Sequence, residues 1–356
     1  MTAASDPDPD VTIREARPAD AEAVAVFTRN TWGERTDDYI PRVFSDWADA
    51  DDPDSETFVA TLSPDAVGID GLDGRENGDT LVEDDGNSAA ESSEPEAVVG
   101  CIRGALLSEW EGWAQGIRVD PAARGFGVGT ALSTAVLDWV RERGATVCRN
   151  MVFSWNVAGL GQSRAVGFEP GTEFRFAEPE PSAAGLAVDS IGDPDPNAVW
   201  AFWTDSDAHD RLRGLVLDDG EAWACSKLTR ERLRIAAAEE RLLAVHGARE
   251  PNSVKRTNTL AGFAIRTRIS QSPSDDRDRI AVYGVAAWRD VDAAGELYQS
   301  IAADAAAVDA DAARVLIPET VEHVSDTAAN RVLTSDEPDF VMSADLTGTN
   351  TIDRCE

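Results

Sequence analysis

Lysine is almost missing from this chain of 356 residues. Only Lys227 and Lys255 occur, and the other 30 basic residues are arginines. Against 66 Asp and Glu they leave a formal net charge of −34. That balance argues against a nucleic-acid partner, whose affinity rests on Lys and Arg contacts to phosphate. It fits a protein working in a salt-rich, halophile-type cytoplasm, where the Debye length falls to roughly 3 Å at 1 M and self-repulsion is screened. The acidity runs along the whole chain, so it does not mark one face for a basic partner.

Cysteine and histidine are also scarce. Cys101, Cys148, Cys225 and Cys355 show no C-x-x-C spacing, and His209, His246 and His323 stand alone. No metal site and no disulfide framework is expected; reduced thiols are. No apolar run approaches the roughly 18 residues of a membrane span. The stretch from Met1 to Val11 is acidic and Pro-rich. It lacks the basic start and apolar middle of a signal peptide. A cytoplasmic protein with no membrane partner is expected, as a monomer or a homodimer.

What is present suffices for two cores, since 42% of the residues are hydrophobic. The length also suits two domains. Residues 1–10 read as a disordered acidic tail and 11–182 as a first domain. Within the latter, 63–96 reads as an acidic loop insertion too polar to order itself. Strands are expected near Val11–Ala16, Thr57–Leu62, Ala97–Gly104, Gly112–Val119, Ala145–Trp155 and Thr172–Ala177. Helices are expected from Asp20 as cap, over Asp37–Trp47, from Val128 to Gly144 and over Ala158–Val166. After a Pro/Glu-rich linker, 183–356 repeats the order weakly. Val199–Trp203 reads as strand, Ser206 opens a helix through Leu215, and Ala281–Trp288, Ala293–Ala307 and Arg314–Ile317 read as strand, helix, strand. This is the pattern of an internal duplication whose second copy has lost a loop.

The most informative run is Ile117-Arg118-Val119-Asp120-Pro121-Ala122-Ala123-Arg124-Gly125-Phe126-Gly127-Val128-Gly129-Thr130. A strand ends, an arginine and three alternate glycines follow, and a helix begins. Such a turn lets backbone N–H groups converge at the positive end of a helix, an anion site suited to pyrophosphate. No Gly-Lys-Ser/Thr follows, and G-x-G-x-G is not the dinucleotide spacing. In the second copy the corresponding join, Arg289 to Gly295, holds one glycine and two aspartates, which suits no pyrophosphate.

Arg124-Gly-Phe-Gly127-Val-Gly129, preceded by Val119-x-Pro121, resembles the coenzyme A signature R-x-x-G-x-G of the GNAT N-acetyltransferases. Asn156, followed eleven and twelve residues later by Gly167 and Phe168, resembles that family's N-x-x-A-x-x-L-Y-x-x-x-G-F. The opening Ile13-Arg14-x-Ala16-x-x-x-Asp20 is also similar, so the resemblance covers roughly residues 11–177. It implies an α/β fold of two tandem GNAT-like domains, each a mixed, splayed central sheet flanked by helices, the second lacking the pyrophosphate loop. It implies acetyl-CoA as co-substrate, an amine acceptor and no metal.

The resemblance also implies roles. The backbone of Ile117, Arg118 and Val119 would pair with the pantetheine arm, and the Ile117 N–H would polarise the thioester carbonyl. Arg124, Gly125, Phe126, Gly127, Val128, Gly129 and Thr130 would hold the pyrophosphate, and Asn156 would bind the cofactor arm. An ammonium must lose a proton before it can attack, and Glu111, fourteen residues before Gly125, is the expected base, with Glu109 beside it. Where the family has its acid tyrosine this chain has Ser163, which can relay a proton but is no strong acid. An acyl-CoA-binding regulator without catalysis, or a transferase with another acyl donor, would share these features. Trp110 and Trp155 are the tryptophans expected beside the cleft.

Overall fold

A computed structural model of the chain describes residues 11–29, 31–33, 35, 38–62, 97–183, 194–247, 259–271 and 279–348. The expected tail, the 63–96 insertion and Cys355 lie outside the described residues. The chain packs as two compact units, neither of them one continuous segment. The first is Met1–Asn150, Gly161–Phe168 and Ser343–Glu356; the second is Met151–Leu160 and Glu169–Met342.

In the first unit, β1 (Thr12–Glu15), β2 (Ser55–Leu62), β3 (Ala97–Ser108) and β4 (Glu111–Val119) form an antiparallel ladder in that order. β5 (Val147–Phe153) then joins β4 in parallel, after the crossover helix α3 (Val128–Glu142). The seating of α3 follows from glycines on the sheet. A Cβ at Gly100 would lie 2.9 Å from Leu132, one at Gly104 3.0 Å from Val136, and one at Gly112 2.9 Å from Val140. These helical partners recur every fourth residue, so one ridge of α3 lies directly on bare backbone. α1 (Ala21–Thr28) and α2 (Ile40–Asp49) supply Val24, Ile40 and Phe44 to a separate buried cluster with Val59 and Cys101.

Asp20 precedes α1 as expected, yet its carboxylate does not cap that helix. It accepts two bonds from the Arg14 guanidinium, at 2.6 and 2.8 Å, and one from the Arg17 N–H at 2.8 Å. A charged, bidentate partner outcompetes a neutral amide for the same oxygens.

The second unit opens with β6 (Glu169–Glu178), which pairs antiparallel with β12 (Ala312–Pro318) and with the short β13 (Leu333–Thr334). β12 lies parallel to β11 (Arg279–Trp288), which pairs antiparallel with β10 (Leu260–Gln271), itself antiparallel to β9 (Leu242–His246). α8 (Val291–Ala307) crosses from β11 to β12, and α9 (Val321–Ala329) follows. The succession β9–β10–β11–α8–β12–α9 repeats β2–β3–β4–α3–β5–α4, where α4 is Val157–Ala165. The core under α8 is built on Leu297, Ile301, Tyr283, Val315 and small alanines.

Two expectations are corrected here. Val199–Trp203 is not strand but part of α5 (Pro196–Thr204). Asp195 caps it through the Asn197 N–H at 2.9 Å, Pro196 occupies the first turn, and Val199 and Trp203 are buried one turn apart. The aromatic run reads as strand by propensity, whereas the i, i+4 burial and the caps decide for helix. The helix expected from Ser206 to Leu215 is only α6 (Asp207–Arg211), because Arg213 and Gly214 adopt φ of 52° and 71°. Leu215 instead begins β7 (Leu215–Leu217), which pairs with β8 (Cys225–Lys227). Between β8 and β9 lies α7 (Arg230–Ala238).

Among the described residues, no helix is long and apolar enough to cross a membrane, and no three potential metal ligands gather. Cys101, Cys148 and Cys225 are buried thiols that form no disulfide among the described residues. Burial pushes the Cys101 and Cys148 thiols up to about 12. Neither is therefore a nucleophile near neutral pH.

Candidate active site

The site of the first unit begins where β4 loses a neighbour. Its parallel ladder with β5 runs Glu111↔Val147, Gly112↔Cys148 and Trp113↔Arg149, and stops there among the described residues. On its other edge β4 continues with β3, through a bulge that sets Gly116 and Ile117 against Ile102 alone. Gly116 takes φ +69°, and a Cβ there would meet Trp47 at 2.9 Å. Such a bulge re-aims the backbone at one point of a strand. Ile117 and Val119 are half-buried.

Beyond β4, Asp120 holds the turn by accepting the Ala122 N–H at 2.9 Å. Gly125 and Gly127 follow with φ of +88° and +75°, and no atom lies within 4 Å of a Cβ placed at either. Gly127 is the N-cap of α3, and no side chain caps the helix there. The first N–H groups of a 15-residue helix therefore open onto clear space, beside the exposed Arg124. Those groups have no partner within the helix and carry its positive end. Val128 is buried, Thr130 exposed and Phe126 half-buried, and Gly129 faces Gln162 of α4, 3.0 Å from a Cβ built on it. This cradle, which any side chain at Gly127 would obstruct, fits a pyrophosphate.

The other expected residues fall in three places. Arg118 has its guanidinium buried, paired to Asp38 at 2.6 and 3.0 Å and lying 4.6 Å from the Trp32 ring centre. Its side chain is thus committed, which leaves its backbone for the expected role. Ser163 is buried, and its hydroxyl accepts a bond of 3.0 Å from the Asn150 side chain. Asn156 goes with the second unit, where its Oδ1 accepts the Gly159 N–H at 3.0 Å across the first turn of α4. That is the behaviour of a helix cap.

Glu111 is not brought to the bulge. It lies at the opposite end of β4, six residues from Ile117, about 20 Å at the rise of an extended strand. It is buried there against Arg149, with Oε1 2.6 Å from Nη1, and Oε2 accepts from Ser108 at 3.2 Å. This ion pair ties β4 to β5. Trp110, in the turn before it, is 40% exposed at that same far end. Trp155 stacks on Phe153 at 5.2 Å in the second unit. Sequence reasoning missed Asp38 and Asn150, which lie outside any motif and gain their meaning only from long-range contacts.

At the corresponding join of the second unit, Asp290 caps α8, its Oδ1 accepting the Ala293 N–H at 2.9 Å. Asn330 donates to the Val291 carbonyl at 3.1 Å, and Trp288 donates to Asp326 at 2.9 Å.

Residues 22–161 match the acetyltransferase (GNAT) family model. No curated protein matches the chain. The GCN5-related N-acetyltransferase from Sphaerobacter thermophilus is a similar solved structure, 14% identical, covering 94% of this chain and 96% of that one at a TM-score of 0.55. A putative acetyltransferase from Thermoplasma acidophilum is 15% identical over 94% and 99% of the two chains, at a TM-score of 0.50. A tandem GNAT protein from the clavulanic acid biosynthesis pathway is 13% identical over 96% and 100%, at 0.48. The fold is mixed α/β with two GNAT-like units, the fold of GNAT acetyltransferases.

Proposed function

We propose that the chain is an acetyl-CoA-dependent N-acetyltransferase acting on a primary amine. One observation carries this reading: an uncapped helix N-terminus behind two positive-φ glycines with clear space above them, at the end of a strand that has lost one neighbour. Arg124 and the N–H groups from Phe126 to Thr130 would hold the pyrophosphate, and the backbone of Ile117, Arg118 and Val119 the pantetheine arm. When bound, the thioester supplies the activated acetyl group. The Ile117 amide is the proposed donor to its carbonyl, and the Ser163 hydroxyl the proposed partner of the departing sulfur. The acceptor nitrogen attacks directly, and its proton leaves to a carboxylate or to water. Glu111, committed to Arg149, is not proposed for that step.

A second reading, an acyl-CoA-binding regulator, is favoured by Ser163 standing where a stronger acid would be expected. Release of free thiol from acetyl-CoA with a panel of amines in molar KCl separates the two. Amine-dependent release is expected. Tight coenzyme A binding with no release above the amine-free rate would establish the regulator. Mass spectrometry of acyl-CoA retained on purification tests the identity of the donor.

A further inference from the structure

The buried pair of Arg118 and Asp38 lies beside the bulge of β4, and it does more than neutralise two charges. Arg118 is 9% exposed and Asp38 6%. The guanidinium donates from Nε to Asp38 Oδ2 at 2.6 Å and from Nη2 to Oδ1 at 3.0 Å. Its third nitrogen, Nη1, donates to the Ile117 carbonyl at 2.9 Å. Asp38 Oδ1 also accepts the Ile40 N–H at 3.0 Å, where α2 begins. The Trp32 and Tyr39 ring centres lie 4.6 and 5.7 Å from the guanidinium carbon.

α2 meets the bulge a second time. A Cβ built on Gly116 would lie 2.9 Å from Trp47 and 3.1 Å from Ile40. Tyr39 packs edge-on against Trp47, with ring centres 6.0 Å apart. Gly116 is held at φ +69° on one side, and Arg118 holds the Ile117 carbonyl on the other. The peptide that carries the Ile117 N–H lies between these two restraints. All of these residues belong to the first unit. A buried ion pair adds little net stability over apolar packing of the same volume, since both charges are desolvated. What a guanidinium supplies is direction, because its planar fork sets the places of several acceptors at once.

We infer that Arg118 and Asp38 are positioning residues, which lock the start of α2 to β4 and so fix the direction of the Ile117 N–H. The inference rests on the proposed transferase, in which that N–H is the donor to the thioester carbonyl. Such a donor is effective only when it is aimed beforehand at the oxygen on which charge develops. The pair touches no reacting atom and acts through the backbone of Ile117.

Arg118→Met, Asp38→Asn and the double change test this in the full chain. Each single change strands one buried partner and should lower the urea midpoint. The double change leaves no buried charge, and its amide oxygen can still accept the Ile40 N–H, so the midpoint should largely return. Catalysis should not return with it. The kcat per folded molecule should stay about 10- to 100-fold below wild type, while KM for acetyl-CoA changes less than about threefold. Arg118→Lys, which keeps the buried charge but not the fork, should show the same split in smaller measure. Infrared difference spectra of bound acetyl-CoA, isotope-labelled at the thioester carbonyl, give a readout apart from turnover. The wild type should lower the carbonyl stretch below that of the free thioester, and the double variant should leave it closer to the free value. A double variant that regains kcat with its midpoint, an Arg118→Lys protein with wild-type kcat, or an unchanged carbonyl stretch in either would overturn the positioning role. A wild type that lowers the stretch through this pair but acetylates no amine would remove the transferase and keep the positioning role. A chain that binds no acetyl-CoA would remove both.

Discussion

The turn from β4 into α3 and the turn from β11 into α8 solve the same problem in opposite ways. Each must bring a strand into a long helix and satisfy the helix's first N–H groups. At α8 the chain does this itself, through Asp290 to the Ala293 N–H, and Asn330 closes over the first turn. At α3 the cap is Gly127, which offers no side chain, so no side chain caps the first N–H groups. A duplicated fold thus separates what folding requires from what ligand binding requires. The self-capped copy has the same strand–helix unit without a glycine turn, which is why the glycines of the other copy are proposed to serve a ligand.

The strongest way to break this comparison is to fill the open cradle. Gly127→Glu places a side chain and a negative charge at the N-terminus of α3, in a conformation that costs an L-residue about 1–2 kcal/mol. The carboxylate also interacts favourably with the helix end, so the fold should survive. Coenzyme A affinity should fall by at least about 100-fold, equivalent to roughly 2.7 kcal/mol. Calorimetry on the wild type should give one site per chain. A folded mutant that keeps its affinity, or a wild type with two equal sites, would erase the difference between the two turns.

How far the sequence discloses all this depends on the range of the interactions. The glycine turn, α3 and the stop at Gly144 are legible because they rest on local backbone chemistry: φ values of +75° and +97° at Gly127 and Gly144, and a four-residue apolar ridge. α5 is misread because Val199-Trp-Ala-Phe-Trp203 has strand propensity, while its helical burial shows only at two of five positions. Asp20 looks like a cap until Arg14 takes it. Glu111 is read onto its strand, but its pair with Arg149, 38 residues away on a strand whose register the sequence does not show, is not legible. Asp38 is one acid among 66, and only its burial against Arg118 distinguishes it.

The parallel ladders sharpen the comparison further. In the first copy the ladder of β4 and β5 is short and carries the buried Glu111–Arg149 pair at its closed end. In the second, β11 and β12 pair over Ile280↔Ala312 to Tyr283↔Val315, and the polar group there is Tyr283, donating to Asp304 at 2.7 Å. Removing one partner of a buried ion pair leaves the other charge uncompensated, which costs about 3–5 kcal/mol. Glu111→Gln should therefore lower unfolding stability by about 3 kcal/mol in urea titrations, and kcat in proportion to the folded fraction only. A double change of Glu111 and Arg149 to Met should restore most of the loss. A stable Glu111→Gln protein whose kcat falls about 100-fold at pH 7 and recovers at high pH would return Glu111 to the reaction.

The smallest expected effect decides whether the second turn can be opened at all. Asp290→Ala removes the cap of α8 and should cost about 1 kcal/mol, the usual range for a lost N-cap. It should not create a coenzyme A site. The Asn330 amide still closes on the Val291 carbonyl, and the join contains no positive-φ glycine to gather N–H groups toward one point. Freeing the N–H of Ala293 would only let water take the place of the carboxylate. Calorimetric stoichiometry should stay at one while the urea midpoint shifts slightly. If a single cap removal raised the stoichiometry to two, the self-made cap alone would account for the silence of the second copy, and the glycines of the first would lose their claim as the deciding feature.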